Sequence, residues 1–313
     1  MVASRARPDR AALLPYGAPF LIADPAAARR GLTELRRALA AAGVVAEAAV
    51  ARPVGRAGAL AAAACERGAR LPVAVGSDRV AGAVVGALVG PDGPRWPGVV
   101  LGLAGLGRGD LAATFGLPDD PAALARHLLG AGLFTADVGR ARWRGPDGAE
   151  RAAVFANAAE LGYPAELSSR LAAAARGGRA GRLAAAVAAL ARSRSTPARL
   201  ELDHAAVELR LAGLVAANGQ FSMGRSKVAP RALPDDGRLS VIAFQGEPLA
   251  VYARSRQLSH GDHLPHPAVR EYQSRALRVA TAEPLALALD GRRVAGGPPL
   301  AVDLLPGALR VKV

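Results

Sequence analysis

The chain has 313 residues, 51% of them hydrophobic, and a formal net charge of +14 from 40 lysines and arginines against 26 aspartates and glutamates. This length and apolar content allow a large buried core, so they exclude an intrinsically disordered chain and favour two domains. The positive charge favours anionic partners such as phosphates or an acidic membrane surface.

The distribution of charge and hydrophobicity narrows the possible partners further. The basic residues are dispersed along the chain and are not interleaved with aromatic residues, so we expect no nucleic-acid partner. The stretch MVASRARPDRAALLPYG lacks the apolar core of a signal peptide, and the longest apolar runs fall short of the roughly 20 residues that span a bilayer. The single cysteine, Cys65, is expected in a buried helix. These features predict a cytoplasmic protein with peripheral membrane contact.

Residues 15–132 show apolar strands that alternate with helices. The first strand precedes Asp24 and Pro25, which are typical of a helix N-cap and first turn, and Leu32, Leu35 and Leu39 follow at helical spacing. The alternation continues in GVVAEAAVA, AGALAAAACERGA, LPVAVG, DRVAGAVVGALVG and GVVLGLAG. Because parallel neighbours need a crossover that is usually a helix, the pattern predicts a Rossmann-like, doubly wound and mostly parallel α/β domain.

Residues 133–313 form a second, mostly β region. Runs such as FTADVGRARWRG, RAAVFANAAELGY and GRLSVIAFQGE have strand character and are separated by Gly, Pro and Asp turns. The intervening stretch ELSSRLAAAARGGRAGRLAAAVAALARSR is predicted to be helical with a glycine-rich break, because Leu183, Val187 and Leu190 keep helical spacing. We therefore place the boundary between the two domains near residue 132.

A series of short motifs runs along both halves. Two glycine-containing loops follow strands of the first half: Gly76, Ser77, Asp78 and Arg79, and then Gly107, Arg108, Gly109 and Asp110 in GRGDLAATFGLP. The second half contains FANAAELGY, AANGQFSMG, VAPRALPDDGRLSV, HGDHLPHPAV, LDGRRV and LPGALRVKV. In order and spacing, these motifs resemble the diacylglycerol kinase catalytic family, which includes sphingosine kinases and bacterial lipid kinases.

This resemblance implies a fold and a chemistry. The fold would have a C-terminal β-sandwich, an active-site cleft between the domains and a last strand that can return to the first domain. The chemistry would be transfer of the γ-phosphoryl group of ATP to a lipid hydroxyl, as in diacylglycerol, with Mg²⁺ as cofactor. The two glycine-containing loops would bind the nucleotide and Asp290 would be the general base. The lipid would be met at an anionic membrane surface, and a homodimer is a further expectation.

The nucleotide loops depart from the family pattern. Arg79 and Val80 stand where the family has Gly-Thr, and Arg108 replaces another threonine. Arg79 could bind phosphate through its guanidinium, or it could fill the nucleotide site and pair with Asp78 or Asp110. We favour the second interpretation because the β-branched Val80 suits a permissive loop poorly. Two functions therefore stand open: an active lipid kinase, or a catalytically impaired relative that acts as a lipid-binding or regulatory module.

The remaining candidates also have two interpretations each. Asp290 is either the general base or part of an Asp-Gly hairpin turn, and Arg292, which stands where the family has glutamate, is expected to lower the pKa of Asp290. Asp236, with main-chain oxygens at Leu233 and Arg238, matches the position of a metal site in the family or forms a turn between strands.

Three polar residues are expected to have structural or surface roles. Asn157 and Asn218 lie in apolar β-like runs, where a buried amide needs hydrogen-bond partners. His263 belongs to SHGDHLPH, whose spacing fits no closed zinc pattern, so this segment is expected to be a solvated loop.

Overall fold

A parallel four-stranded sheet forms the centre of the N-terminal half. The computed structural model describes residues 14–107, 109–174 and 178–313. The strands are β1 (Phe20–Ala23), β2 (Glu47–Val50), β3 (Pro72–Val75) and β6 (Gly102–Ala104), and they lie in the order β2-β1-β3-β6. Between β3 and β6 in the sequence, β4 (Val89–Gly90) and β5 (Gly93–Pro94) form a short antiparallel pair.

Helices cover both faces of the parallel sheet. They are α1 (Pro25–Arg30), α2 (Leu32–Ala41), α3 (Ala57–Glu66), α4 (Asp78–Leu88), α5 (Asp110–Thr114) and α6 (Pro121–Leu129), with a 3₁₀-helix at Val54–Arg56. Alternate residues of β1 enter different cores: Phe20 and Ile22 pack with α3 and α4, whereas Leu21 and Ala23 pack with α2 and α6. Such two-sided burial is the reason that the strand is apolar throughout.

The C-terminal half is a large, curled antiparallel sheet of eleven strands. Its main path is β16-β15-β9-β11-β10-β14-β17-β7-β8, and β12 pairs with both β11 and β13. The strands are β7 (Leu133–Arg144), β8 (Glu150–Phe155), β9 (Ala158–Gly162), β10 (Thr196–Leu202), β11 (Ala206–Ala217), β12 (Leu239–Gln245), β13 (Val269–Ser274), β14 (Ala276–Thr281), β15 (Leu287–Leu289), β16 (Arg292–Val294) and β17 (Gly297–Lys312). The sheet encloses a core to which most of these strands contribute apolar side chains.

Among its described residues, this second half has four helices. They are α7 (Tyr163–Ala173), α8 (Gly178–Leu190), α9 (Pro248–Ala253) and α10 (Ser255–His260). Helices α7 and α8 confirm the helical prediction on either side of residues 175–177, which lie outside the described residues. Ala185, Ala186 and Ala189 of α8 are buried, whereas Leu183 and Val187 are each 57% exposed.

A ribbon made of β7 and β17 connects the two halves. The two strands pair along nearly their full lengths, from Leu133 opposite Lys312 to Arg144 opposite Gly297. One end of the ribbon packs in the N-terminal core through Val138 and Val311, and the other end packs in the sandwich core. The backbone N–H groups of Leu101 and Lys312 bond to Arg310 and Leu101 respectively, both at 2.8 Å, so β17 also contacts the segment before β6.

The predicted fold class is therefore confirmed: a Rossmann-like α/β layer precedes a β-sandwich-like antiparallel domain. Asp24 is the N-cap of α1, as its position before Pro25 predicted, and it accepts hydrogen bonds from the Ala26 and Ala27 N–H groups. Cys65 is buried in α3, as expected.

Candidate functional site

A cavity of about 670 Å³ lies between the two halves. Three separate segments of the sequence meet there: the loop after β3, the loop after β6, and the turn between β15 and β16. Helices α7 and α8 line another side. The predicted site residues on its wall are Ser77, Asp78, Arg79, Gly107, Gly109, Asp110 and Asp290.

The loop after β3 is fixed to the end of β1. Gly76 has φ +116°, and a Cβ at this position would lie 2.6 Å from Oδ2 of Asp24. That same oxygen accepts a hydrogen bond from the Ser77 N–H at 3.0 Å. Burial alone would raise the pKa of Asp24, but the hydrogen bonds from backbone N–H groups outweigh it and the pKa is lowered. Gly76 is therefore required for the close approach of β3 to an ionised Asp24.

Asp78 joins the loop after β3 to the loop after β6. Its Oδ2 accepts from the Asp110 N–H at 2.8 Å and its Oδ1 accepts from the Leu111 N–H at 2.9 Å. Gly109 has φ +93°, and a Cβ there would lie 3.3 Å from Oδ1 of Asp78. Burial raises the pKa of Asp78. The aspartate thus caps α5 and holds the two loops at one edge of the parallel sheet.

Asp110 in turn connects the N-terminal half to the sandwich. Its carboxylate accepts from the Gly224 N–H at 3.2 Å and from the Arg225 N–H, and only 9% of the residue is exposed. Burial and the negative charge of Asp78 raise the pKa of Asp110 to about 7. Asp78 and Asp110 therefore link the N-terminal half to the sandwich through successive hydrogen bonds to backbone N–H groups.

Asp290 lies at the tip of the β15–β16 hairpin with φ +47°, and its carboxylate points back into the protein. Its Oδ2 accepts from the Ala156 N–H at 2.9 Å, and its Oδ1 accepts from the Asn157 and Ala158 N–H groups at 2.9 and 3.1 Å. Asp290 therefore forms the expected turn and also lines the cavity. Its role as general base stays a prediction. A carboxylate has about four acceptor positions, so one is left for a substrate hydroxyl.

The prediction that Arg292 lowers the pKa of Asp290 is wrong. Arg292 is exposed and makes no ion pair with Asp290, both of which are described residues. Burial and, to a smaller extent, the charge of Asp78 raise the pKa of Asp290 to about 6, against the lowering effect of the three backbone N–H groups. Asp290 is thus a stronger base than the sequence predicted, yet it is mostly ionised at pH 7.

Arg79 and Val80 also differ from the favoured interpretation. Arg79 is exposed on the cavity wall and, within the described part of the chain, has no ion pair with Asp78 or Asp110, whose carboxylates bind backbone N–H groups instead. Val80 is fully buried inside α4, which begins at Asp78, so no permissive backbone is needed at that position. The interpretation that Arg79 pairs with Asp78 or Asp110 is therefore wrong, and the residue lines the cavity instead. Arg108 lies outside the described residues.

Glu160 is a buried acid that sequence reasoning missed. It is 2% exposed in β9 and accepts hydrogen bonds from the hydroxyls of Ser168, which lines the cavity, and Ser222. Burial raises its pKa to about 8, to which the charges of Asp110 and Asp290 contribute. The available signal was a single acid within the apolar run FANAAELGY.

The residues predicted to hold a structural metal adopt a turn. Oδ1 of Asp236 accepts from the Arg238 N–H at 2.9 Å, and Leu233 is 52% exposed. The turn is held by the buried Asp137, another residue that the sequence analysis missed, which accepts from the Gly237 N–H and the Gly307 N–H, each at 2.8 Å. These contacts match the alternative of a turn between strands.

The asparagines and His263 are structural. Asn157 bonds to Thr114 and Phe221, and Asn218 donates to the carbonyl oxygens of Asp137 and Ala156, as expected for buried amides. His263 is 1% exposed and contacts the Val228 carbonyl oxygen through Nε2, so the expectation of a solvated position is wrong for this residue.

The carboxylates on the cavity wall are a poor fit to Mg²⁺. In Asp24, Asp78, Asp110 and Asp290, both oxygens already accept hydrogen bonds from backbone N–H groups. Residues 14–107, 109–174 and 178–313 also contain no group of three or more acidic, histidine or cysteine side chains suited to a metal ion. Magnesium prefers carboxylate oxygens that are free to face it in an octahedron.

Comparison with known proteins finds this fold in several solved structures. Residues 159–313 match the family model of the YegS C-terminal NAD kinase β-sandwich-like domain. Three solved structures from Bacillus anthracis str. Sterne, assigned as diacylglycerol kinases, match over 94% of this chain and 96% of theirs. Two have a TM-score of 0.71 at 17% identity and the third has 0.66 at 16%. None of the curated proteins compared with the chain matches it. These findings confirm the resemblance that the motifs indicated.

Proposed function

Because residues 159–313 belong to the family of YegS C-terminal NAD kinase β-sandwich-like domains, we propose that this protein is a lipid kinase that transfers the γ-phosphoryl group of ATP to a lipid hydroxyl. The observation that carries the proposal is the position of Asp290 in the same cavity as the loops after β3 and β6. Phosphoryl transfer needs mainly positioning and neutralisation of phosphate charge, and these three segments supply both.

In the proposed reaction, Asp290 accepts the proton of the lipid hydroxyl. The hydroxyl oxygen then forms a bond to the γ-phosphorus, the bond from that phosphorus to the β–γ bridging oxygen breaks, and ADP leaves. The three backbone N–H groups hold the carboxylate of Asp290 in place. Arg79 and the arginines of α8 offer positive charge to the phosphates. A raised pKa of about 6 gives Asp290 more basicity than an ordinary aspartate while it stays ionised at pH 7.

We propose further that α8 meets the membrane in which the lipid lies. Arg179, Leu183 and Val187 are spaced at i, i+4 and i+8 and are exposed on one side of this helix, whose first turn lines the cavity. An exposed apolar pair beside arginines suits an anionic bilayer surface. No helix in the described part of the chain has the length and hydropathy that a membrane crossing requires.

The proposed activity is tested by phosphate transfer from radiolabelled ATP to vesicles that contain diacylglycerol and phosphatidylglycerol. We expect transfer by the native protein, a kcat at least about 100-fold lower for Asp290→Asn, and a fall in kcat/KM below about pH 6. Asp203→Asn is the matched control, because Asp203 also accepts a backbone N–H at a turn but lies far from the cavity wall. Equal rates for native protein and Asp290→Asn, or no transfer to any lipid, would contradict the proposal.

A further inference from the structure

The carboxylates of the cavity face their own backbone rather than the cavity. Asp24 accepts three backbone N–H groups, Asp290 accepts three, and Asp78 and Asp110 accept two each, with both oxygens of every carboxylate engaged. These four are the acidic residues on the wall of the described cavity. Their role in the fold is therefore to join loops and cap helices.

This arrangement leaves a divalent cation only acceptor positions on oxygens that already accept a backbone N–H group. A Mg²⁺ ion held by a protein needs one or two carboxylate oxygens directed at it, with water and substrate phosphates as its other ligands. Here each oxygen already has an electropositive N–H group directed at it. Release of one of these carboxylates would leave a backbone N–H donor without its partner, which is unfavourable.

The charges that do face the cavity are guanidinium groups. Arg79, Arg179, Arg182 and Arg225 all lie on the wall. Arg225 pairs with the exposed Asp119 and Arg182 has a long contact of 3.4 Å to the Gly224 carbonyl oxygen, whereas Arg79 has no ion pair among the described residues. A guanidinium binds two phosphate oxygens at once and cannot lose its charge near neutral pH.

We propose that the cavity binds the triphosphate of ATP as the metal-free anion, with Arg79 in the place that a magnesium ion would otherwise occupy at the phosphates. This inference rests on the proposed function, because it concerns the same cavity and the same nucleotide. It explains why the first turn of α4 carries an arginine and why every carboxylate of the wall is engaged in the fold.

The test is calorimetric titration of the full chain with ATP in EDTA and, separately, in excess Mg²⁺. We expect ATP to bind in EDTA at least as tightly as in Mg²⁺, and Arg79→Ala to weaken binding in EDTA about tenfold or more. Arg79→Lys keeps the charge without the planar fork and is expected to fall between the two. Arg36→Ala is the matched control, since Arg36 is an exposed arginine on α2 that does not line the cavity.

The possible outcomes distinguish a failure of this inference from a failure of the proposed function. Binding that is about tenfold tighter in Mg²⁺, or equal affinities for Arg79→Ala and Arg36→Ala, would overturn the inference and leave the proposed function standing. Arg79-dependent binding in EDTA without any lipid phosphorylation would support the inference and contradict the proposed function. An absence of ATP binding in both buffers would overturn both.

Discussion

Glu160 and Asp290 show how much individual residues in this site depend on burial. Both are acids inside the protein, and both have raised pKa values, of about 8 and about 6 respectively. Asp290 stays mostly ionised at pH 7 because three N–H groups bind its carboxylate, whereas Glu160 is neutral there and is held by two serine hydroxyls. We expect Glu160 to support Ser168 at the cavity wall rather than to take protons from substrate.

The raised pKa of Glu160 predicts a pH-dependent stability. Its ordinary pKa is 4.5 and its folded pKa is about 8, so the folded state holds this proton more tightly than the unfolded chain does. The stabilisation is complete below pH 4.5 and is lost as the pH rises towards 8, with a slope of at most about 1.4 kcal/mol per pH unit. Asp110 contributes with the same sign up to about pH 7.

We therefore expect the free energy of unfolding of the native protein to fall between pH 6.5 and 8, and Glu160→Gln to reduce that slope. Urea denaturation across this range measures both. The range avoids His127 and His263, whose lowered pKa values act with the opposite sign below about pH 6.5. If the free energy of unfolding changes equally with pH in the native protein and in Glu160→Gln, the raised pKa of Glu160 is contradicted.

At the residue scale, the sequence motifs identified the loops and the turn that line the cavity. They did not reveal the properties of residues that depend on burial. Asp78, Asp110 and Asp290 come from separate motifs and line one cavity, and Gly76 lies just before Asp78 in the same loop. The roles that the motifs give them stay predictions. The orientation of Arg79 could not be predicted, because it depends on whether Asp78 binds the guanidinium or caps α5. Glu160 was missed because nothing in a local pattern tells a buried acid from an exposed one.

At the scale of elements, α8 shows that hydrophobic spacing predicts a helix but not its buried face. Leu183 and Val187 fit a helical stripe, yet Ala185, Ala186 and Ala189 are the residues that pack inward. Small side chains allow the helix to approach the sandwich closely, so its larger apolar residues remain outside. The same approach leaves an apolar surface next to the cavity.

The exposed face of α8 predicts membrane binding. Replacement of Leu183 and Val187 together by serine should leave the fold unchanged, because both side chains are 57% exposed. It should reduce binding to phosphatidylglycerol vesicles about tenfold, since two apolar side chains would no longer enter the bilayer surface. Vesicle co-sedimentation measures this, with circular dichroism as the control for folding. Unchanged co-sedimentation would show that another surface meets the lipid.

At the scale of the whole molecule, the β7–β17 ribbon makes the two halves one cooperative structure. Val138 and Val311 lie in the N-terminal core, while Trp143 and Val302 on the same two strands lie in the sandwich core. Strand alternation predicted both halves from the sequence. The family resemblance implied that the last strand can return to the first domain, but strand alternation could not predict its partners, because the pairing of β17 with β7 and Leu101 is long-range and leaves no local signal.

We expect a single unfolding transition. The two tryptophans report on different halves, because Trp96 packs against the N-terminal core and Trp143 lies in the sandwich core. In Trp96→Phe and in Trp143→Phe, the fluorescence midpoint should coincide with the midpoint from circular dichroism. Val138→Ala should lower the free energy of unfolding by about 2 kcal/mol and move both reporters together. Two separate midpoints would contradict this coupling.

The ribbon also limits how substrates can enter and leave. A swing of the two halves away from each other would shear the hydrogen-bond ladder between β7 and β17, so the protein has no free hinge at that connection. Helices α7 and α8 line the cavity without belonging to the ladder. Under the proposed function, we expect exchange of nucleotide and lipid to depend on displacement of α7 and α8, and α8 is the helix that we propose rests on the bilayer.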